Sequence, residues 1–169
     1  TGCVAYGSVP LTQAFRDAVE AKGLDVQVRV TGCHGFCERG PLVVVFPQKI
    51  FYQRVKAEDV EDILEKTVGA GEVLDHLLYE DPVTGETFTY EEQVPFYKHQ
   101  ERLILGNNGR IDPTSIEDYL SIGGYSALAK ALFDMGSEAV LEEVLAAKLR
   151  ARGGGGFEAG WKWKRCKEA

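Results

Sequence analysis

The chain has 169 residues, a length that fits one ordinary domain or two small ones. Its 44% hydrophobic and 27% charged residues are typical of a globular protein and argue against general disorder. The net charge of -7 argues against a nucleic-acid binder, which needs a basic surface. The longest apolar run, Leu42 to Phe46, is far shorter than the roughly 20 residues that span a bilayer. We therefore predict no nucleic-acid partner and no direct membrane insertion.

The chain begins with Thr1, and no basic, apolar and small-residue signal pattern follows it. We interpret this start as the boundary of a fragment rather than as a natural N-terminus. The lack of a signal pattern favours the cytoplasm, and we expect a cytoplasmic protein.

Residues 1–68 predict a small α/β domain. Helical spacing indicates a helix from Pro10 to Lys22, and alternation from Leu24 to Val30 indicates a half-buried strand. An apolar strand at Leu42–Phe46 should pair with Ile50–Val55, and a helix at Ala57–Thr67 should close the domain. This order would be thioredoxin-like if one more strand preceded it. A chain with so few elements can hardly bury a stable core alone, so we expect that strand upstream.

Residues 69–100 have a weaker pattern with turn signals, and we interpret them as a connector that wraps the surface. Residues 101–169 form a third, more helical part that ends in a glycine-rich loop at 150–160. The elements predicted there are a strand at Leu103–Leu105, a helix with Thr114 or Ser115 as N-cap and Glu117 completing a capping box, a helix at Tyr125–Phe133, and a helix at Ser137–Lys148 with Ser137 as cap.

Three of the four cysteines lie in the first 37 residues, and Cys33 and Cys37 have a C-x3-C spacing beside glycines. Loop N–H groups stabilise the negative charge of cluster sulfurs, and glycines let the backbone approach a cluster closely. The pattern therefore favours metal or cluster ligation over a disulfide or redox dithiol. A [2Fe–2S] cluster needs four ligands. Cys3, Cys33 and Cys37 would supply three, and we expect the fourth upstream of Thr1.

Zinc is the main alternative metal, because it also takes four thiolates and His34 lies between two of the cysteines. For His34 we favour a solvent-facing loop position over ligation. Cys166 lies far along the chain in a different pattern, so we predict that it does not ligate this cluster.

The glycine-rich segment contains four consecutive glycines, Gly153 to Gly156, followed by Phe157, Trp161 and Trp163. Consecutive glycines expose N–H groups that can cradle a phosphate or lie against a flat ring. A flexible linker is the alternative, but linkers rarely carry three large aromatic residues in seven. Positive charge is added to the same segment by Arg150, Arg152 and Lys162.

These residues resemble two known families. The Cys33 loop and the strand after it resemble the thioredoxin-like [2Fe–2S] ferredoxin domain, which pairs C-x4-C with a later C-x3-C; Cys3 matches the second cysteine of the first pair. From Gln100 on, the chain resembles the start of the flavin-binding subunit of respiratory complex I. The matching stretches are Ile111–Pro113, Gly123–Leu128 and the loop from Arg150 to Trp163. Both domains on one chain are typical of the beta subunits of NAD-linked and electron-bifurcating hydrogenases, and of similar formate dehydrogenase subunits.

The resemblance implies an NAD(P)H-dependent oxidoreductase of the diaphorase type, active as part of the full-length subunit or complex. A reduced nicotinamide would give a hydride to FMN, which would pass electrons singly to iron–sulfur clusters. Besides the [2Fe–2S] cluster, FMN and NAD(P)H, a further [4Fe–4S] cluster is implied outside this fragment. The implied partners are other iron–sulfur subunits of a hydrogenase, formate dehydrogenase or NADH dehydrogenase. The implied cofactor-binding residues are Arg152, Gly153, Gly154, Gly155, Gly156, Phe157, Gly160 and Lys162.

The glycine loop departs from the family pattern, which reads Gly-Arg-Gly-Gly-Ala-Gly-Phe-Pro-Thr-Gly where this chain has Ala151 to Gly160. Glu158 and Ala159 replace Pro-Thr, and Arg165 stands where the family often has a phenylalanine. The alternative function is therefore a non-catalytic electron carrier or docking subunit with a degenerate nucleotide site. An alternative from another class is a zinc-stabilised interaction module.

Overall fold

The chain divides between Thr114 and Ser115 into two units, each with its own internal packing. The computed structural model describes residues 2–169, which combine helices with two small sheets. The predicted mixed α/β class is therefore confirmed. The proposed domain limits at 68 and 100 stay a prediction.

The first unit opens with two helices, Gly2–Ala5 and Ser8–Lys22. The second helix was predicted, and it begins two residues earlier than expected. Its buried side chains, Leu11 and Phe15, lie one turn apart on the face that meets the core. Gly23 ends it in a left-handed conformation, and its N–H bonds the carbonyl groups of the last turn.

The strand predicted at 24–30 is absent. Val26 and Val28 are partly buried, as the alternation predicted, but Leu24 and Val30, which were expected on the same face, are exposed. No residue of the described chain pairs with this segment as a strand, and the bond from the Val26 N–H to the Leu24 carbonyl is local. A segment without a ladder partner is not a strand, so this prediction was wrong.

The central hairpin of the first unit joins Val43–Val45 to Ile50–Tyr52 in antiparallel register, with Val45 opposite Ile50. All three residues of the second strand are buried, since it packs on both faces. The hairpin was predicted in this position. It places the Cys33 loop, which leads into its first strand, beside the core.

The predicted helix after the hairpin runs from Ala57 to Gly69 with changing hydrogen-bond spacing. It begins as a 3-10 turn at Ala57–Asp59, continues as an α-helical turn at Val60–Asp62 and ends as a π-helix at Ile63–Gly69. Its N-terminus is held by the Asp59 carboxylate, which accepts the Lys56 N–H at 2.7 Å.

Residues 69–100 contribute six buried side chains to the core. The prediction that this segment wraps the surface was therefore wrong for these six residues. The segment contains a two-stranded sheet of Tyr79–Glu80 and Thr87–Phe88, and a short helix at Pro95–Lys98. Short 3-10 turns lie at Asp75–Leu77 and Glu91–Gln93. Its buried side chains have no regular period, so the sequence pattern did not indicate them. They are Leu74, Leu77, Leu78, Tyr79, Val94 and Tyr97.

The end of the first unit is irregular. The strand predicted at Leu103–Leu105 is a bend with exposed side chains, and Leu103 is 88% exposed. A short apolar run without a strand partner does not form a ladder.

The second unit consists of four helices, Ile116–Ser121, Ser126–Phe133, Ser137–Ala146 and Ala159–Glu168. The first three were predicted in these places, and the fourth was not predicted. Ser115, one of the two predicted N-caps, caps the first helix by accepting the Asp118 N–H at 3.1 Å, which confirms the N-cap prediction. The predicted capping box of Thr114 with Glu117 was wrong, because Thr114 is not the N-cap. Gly136, not Ser137, is the N-cap of the third helix. No helix within residues 2–169 has the length and hydropathy needed to cross a membrane.

Candidate metal centre and glycine loop

The three predicted ligand thiols lie in one neighbourhood. Cys3 lies in the first helix, Cys33 in the loop before the hairpin, and Cys37 at the start of the 3-10 turn Cys37–Arg39. All are free thiols; Cys33 and Cys37 are exposed, and Cys3 is partly buried. Burial raises the pKa of the Cys3 thiol, and the negative charges of Cys33 and Cys37 raise it further. The fold therefore brings the Cys3 thiol near the other two cysteines.

Two glycines let the cysteine segments approach each other. A Cβ on Gly40 would lie 2.6 Å from the Cys3 Sγ, and a Cβ on Gly2 would lie 3.0 Å from the Cys37 Cβ. Neither position has room for a side chain without a shift. The two glycines therefore bring the cysteine segments into contact, while the predicted close approach of the backbone to a cluster stays a prediction.

One backbone amide is directed at a sulfur. Gly35 has a φ of +88°, a conformation that favours glycine, and its N–H donates to the Cys33 Sγ at 3.3 Å. Such donors stabilise the negative charge of a thiolate ligand, so the loop fits thiolate ligation of an iron–sulfur cluster. Within residues 2–169, no group of three or more His, Cys, Asp or Glu side chains is arranged so that it could hold a metal ion.

His34 is not the solvent-facing residue that we predicted. Its Nδ1 lies 2.6 Å from the Glu91 Oε1, and its side chain is 13% exposed. Its ring also meets the edge of the Tyr97 ring, with centroids 6.4 Å apart. The imidazole is thus a partly buried partner of a carboxylate that stands 57 positions later in the chain.

Arg102 and Asn108, which lie with Glu91 in residues 91–108, hold the Cys33 loop by its carbonyl groups. Arg102 Nη2 donates to the His34 carbonyl at 2.7 Å, and Asn108 Nδ2 donates to the Cys33 carbonyl at 3.0 Å. These contacts join positions 68 and 75 apart in the chain. No local motif could have indicated them.

An aromatic cluster anchors the loop between the two later cysteines. Phe36 is 6% exposed and stacks on Phe96 with centroids 4.4 Å apart and ring planes within 6°. The rings of Tyr79 and Tyr97 complete the cluster around it. The buried Phe36 thereby fixes the backbone from which its neighbours Cys33 and Cys37 extend.

The glycine-rich segment of the second unit is a closed loop. The Ala151 N–H donates to the Phe157 carbonyl, and the Ala159 N–H donates to the Leu149 carbonyl, each at 2.8 Å. Arg150 Nη1 donates across the loop to the Gly156 carbonyl at 3.0 Å. This closure distinguishes the segment from an extended flexible linker.

The predicted cofactor-binding residues of this loop differ in how much free space surrounds them. A Cβ on Gly153, Gly154 or Gly156 would meet nothing within 4 Å, so these glycines have an open face. A Cβ on Gly160 would lie 2.7 Å from the Leu145 Cα, so Gly160 serves helix packing. Gly155 lies against the Phe157 ring, while Arg152, Phe157 and Lys162 are exposed or partly exposed.

The aromatic residues after the loop form a short stack. The rings of Phe157 and Trp161 lie 6.3 Å apart at 21°, and the Arg165 guanidinium lies 5.3 Å from the centre of the Trp161 ring. Cys166 is exposed on the same helix, and it is the sole cysteine of residues 115–169. The prediction that it is not a cluster ligand stays a prediction.

No protein-family model matches the chain. A [2Fe–2S] ferredoxin of Clostridium pasteurianum is 39% identical over 77 residues, which are 44% of this chain and 76% of the ferredoxin. The solved wild-type thioredoxin-like [2Fe–2S] ferredoxin of Aquifex aeolicus is 35% identical, with a TM-score of 0.42. The match covers 47% of this chain and 80% of that ferredoxin.

Other relatives belong to larger oxidoreductases. The NADP-reducing hydrogenase subunit HndC of Solidesulfovibrio fructosivorans is 47% identical over 66 residues, which are 39% of this chain and 13% of HndC. The F subunit of the NADH-quinone oxidoreductase of Aquifex aeolicus is 52% identical over 50 residues, which are 30% of this chain and 12% of that protein. The predicted resemblance to both groups is confirmed. By its identity with the clostridial ferredoxin and the share of that protein it covers, the chain belongs to the [2Fe–2S] ferredoxin family.

Proposed function

We propose that this chain transfers single electrons through a [2Fe–2S] cluster that is held by Cys3, Cys33 and Cys37 together with a fourth ligand from outside the chain. The observation that carries the proposal is the close packing of the Cys3 helix against the Cys37 turn, seen at Gly40 and Gly2, in a chain of this family. Such a cluster, when bound, accepts and releases one electron at a time.

The residues around the thiols suit this role. The Gly35 N–H stabilises charge on the Cys33 sulfur, and the buried Phe36 keeps the loop in place. Cys33 and Cys37 are exposed, so the ligand loop lies at the surface of its unit. A redox partner can therefore approach the ligand loop closely.

We further propose that the second unit contributes one wall of an FMN and NAD(P)H site. Support comes from the closed loop, from the open faces of Gly153, Gly154 and Gly156, and from the exposed cations Arg152 and Lys162. Exposed glycine N–H groups and cations are suited to phosphates and flat rings. The partial similarity to a NADP-reducing hydrogenase subunit and to the F subunit of NADH-quinone oxidoreductase supports the same assignment.

Under this proposal the complete protein is a cytoplasmic diaphorase-type subunit. Its partners are other iron–sulfur subunits, and a further [4Fe–4S] cluster lies outside this chain. Gly160 contributes by setting the packing of the last helix against Leu145 rather than by touching a cofactor.

The second candidate is a non-catalytic electron carrier with a degenerate nucleotide site. The observation that favours it is the stack of Arg165 on Trp161, because it places a guanidinium on the aromatic face that follows the loop. In addition, the acidic residue Glu158 stands opposite Arg150 in the backbone bridge that closes the loop, and its negative charge disfavours a phosphate there.

The test uses the complete protein, purified without oxygen. The proposal predicts a brown protein whose reduced form gives the rhombic EPR signal of a [2Fe–2S] centre. It also predicts bound FMN and NAD(P)H-dependent dye reduction. A [2Fe–2S] signal without flavin would support the carrier, and a colourless protein with one zinc per chain would refute both.

A further inference from the structure

The peptide group between His34 and Gly35 is held at both ends. Its carbonyl oxygen accepts a hydrogen bond from Arg102 Nη2 at 2.7 Å. Its N–H, which belongs to Gly35, donates to the Cys33 Sγ at 3.3 Å. Since the two bonds share one conjugated amide, a fixed cation and a predicted ligand sulfur are joined through a single peptide dipole.

The surroundings of Arg102 fix its position. Its guanidinium lies 4.8 Å from the centre of the Tyr97 ring, and Tyr97 is buried. Asn108 holds the adjacent Cys33 carbonyl, and Glu91 holds the His34 imidazole. Three side chains of residues 91–108 thus restrain the consecutive loop residues Cys33 and His34.

Gly35 follows the peptide that makes both bonds. Its N–H donates to the sulfur two positions earlier, and its φ of +88° is a conformation that a residue with a side chain rarely adopts. The path of the loop after this peptide therefore favours a glycine. The direction of the N–H is fixed by the rigid peptide plane, so its alignment depends on the group that holds the His34 carbonyl.

We infer that Arg102 is a positioning residue that raises the reduction potential of the cluster by fixing and polarising the His34–Gly35 peptide. A guanidinium stays charged at all relevant pH values. A cation bound to a carbonyl draws electron density from the amide and strengthens its N–H as a donor. Hydrogen bonds to cluster sulfurs help to set the potential, and they favour the reduced, more negative form.

This inference rests on the proposed [2Fe–2S] function, and it is tested first by redox titration of the complete protein followed by EPR. Arg102→Gln keeps a donor and removes the charge, so the equilibrium constant for reduction should fall about tenfold, which is 59 mV for one electron. Arg102→Lys keeps the charge and should recover most of the loss. Arg110→Gln removes an exposed charge from the same segment and should leave the potential unchanged.

A second measurement does not need the cluster. In metal-free protein, the amide proton resonance of Gly35 should move upfield in Arg102→Gln and stay in place in Arg110→Gln, because only the first variant weakens the polarised amide. If no [2Fe–2S] cluster assembles, the proposed function fails, while this shift still tests the role of Arg102. An unchanged Gly35 resonance and potential, with only a lower melting temperature, would show that Arg102 is merely structural. An equal change in Arg110→Gln would also overturn the inference.

Discussion

The Sγ of Cys3 lies directly against the backbone of Gly40, where a Cβ would be only 2.6 Å from the sulfur. Cys3 is in the first helix and Gly40 ends the 3-10 turn that starts at Cys37. The contact therefore joins two cysteine segments that lie far apart in the chain. A single methyl group added at Gly40 would therefore displace the Cys3 sulfur.

Gly40→Ala should displace Cys3 and reduce cluster assembly. Gly40 has a φ of -69°, which alanine adopts freely, so the effect is steric and does not come from backbone strain. We expect a clear loss of iron and sulfide per chain relative to the wild type. Gly136→Ala is the matched control, because Gly136 has a φ of -85° and open space around it. Equal iron in both variants would contradict the prediction.

Serine variants of Cys33, Cys37 and Cys166 separate ligands from bystanders. Cys33→Ser and Cys37→Ser should each lose the [2Fe–2S] EPR signal, because an alcohol is a poor substitute for a thiolate ligand. Cys166→Ser should keep both the signal and the iron content. Loss of half the iron in Cys166→Ser would show that our ligand assignment is wrong.

The elements that were predicted correctly are those whose sequence pattern lies within the element itself. The helix at Ser8–Lys22 and the hairpin of Val43–Val45 with Ile50–Tyr52 follow from apolar spacing over a few residues. The common cluster site of Cys33 and Cys37 was inferred from the same kind of local spacing, and it stays a prediction.

The errors concern features that depend on distant partners. In segment 24–30, apolar and polar residues alternate as in a strand, yet nothing in the described chain pairs with it. The connector residues Leu77 and Val94 are buried without periodicity, because irregular turns place them in the core. Arg102 and Glu91 reach the Cys33 loop across 68 and 57 positions. Such contacts follow from the tertiary fold and leave no local pattern.

Tyr52→Phe should lower the stability of the first unit. The Tyr52 hydroxyl, which is buried, bonds the Thr67 hydroxyl at 2.7 Å and accepts the Leu74 N–H at 3.0 Å. Phenylalanine leaves both buried groups unsatisfied, at a cost of about 1–3 kcal/mol. Urea unfolding measures the difference. Tyr90→Phe, at a residue that is 39% exposed, should change the unfolding free energy much less; equal losses would count against this account.

The buried Tyr97 should make the first unit sensitive to alkaline pH. Burial raises the pKa of its phenol above the usual range, and the Glu91 charge adds to this increase. The folded state therefore holds the phenolic proton more tightly than the unfolded chain. This stabilising contribution is complete below the unfolded pKa of about 10 and is lost as the pH rises beyond it.

Unfolding free energies of wild type and Tyr97→Phe, measured by urea at about pH 8 and about pH 10.5, on either side of the unfolded tyrosine pKa, test this linkage. The wild type should lose more stability than the variant between the two pH values. Tyr90→Phe should lose as much as the wild type. A parallel decrease in the wild type and Tyr97→Phe would show that Tyr97 does not contribute to the alkaline loss.

The glycine loop leads to the last prediction, which concerns the complete subunit. Gly156 has a φ of +62° and open space around a would-be Cβ, so Gly156→Val introduces backbone strain of about 1–3 kcal/mol and blocks an open face, without a clash inside the unit. Lys162 is exposed, so Lys162→Ala removes a cation without disturbing the fold. Both variants should lower NAD(P)H-dependent dye reduction, because both remove contacts available to a flavin or dinucleotide. Iron content and the [2Fe–2S] EPR signal should stay normal.

Two controls separate binding from folding in that experiment. Lys164→Ala removes an exposed cation from the same helix, and Gly136→Val adds a side chain at another open glycine, so both should retain dye reduction. In contrast, Gly160→Val should destabilise the second unit, because its side chain would collide with the Leu145 backbone. If Gly156→Val and Lys162→Ala keep the full NADH- and NADPH-dependent rates, then the loop does not bind nucleotide or flavin. The carrier function would then be the better account of this chain.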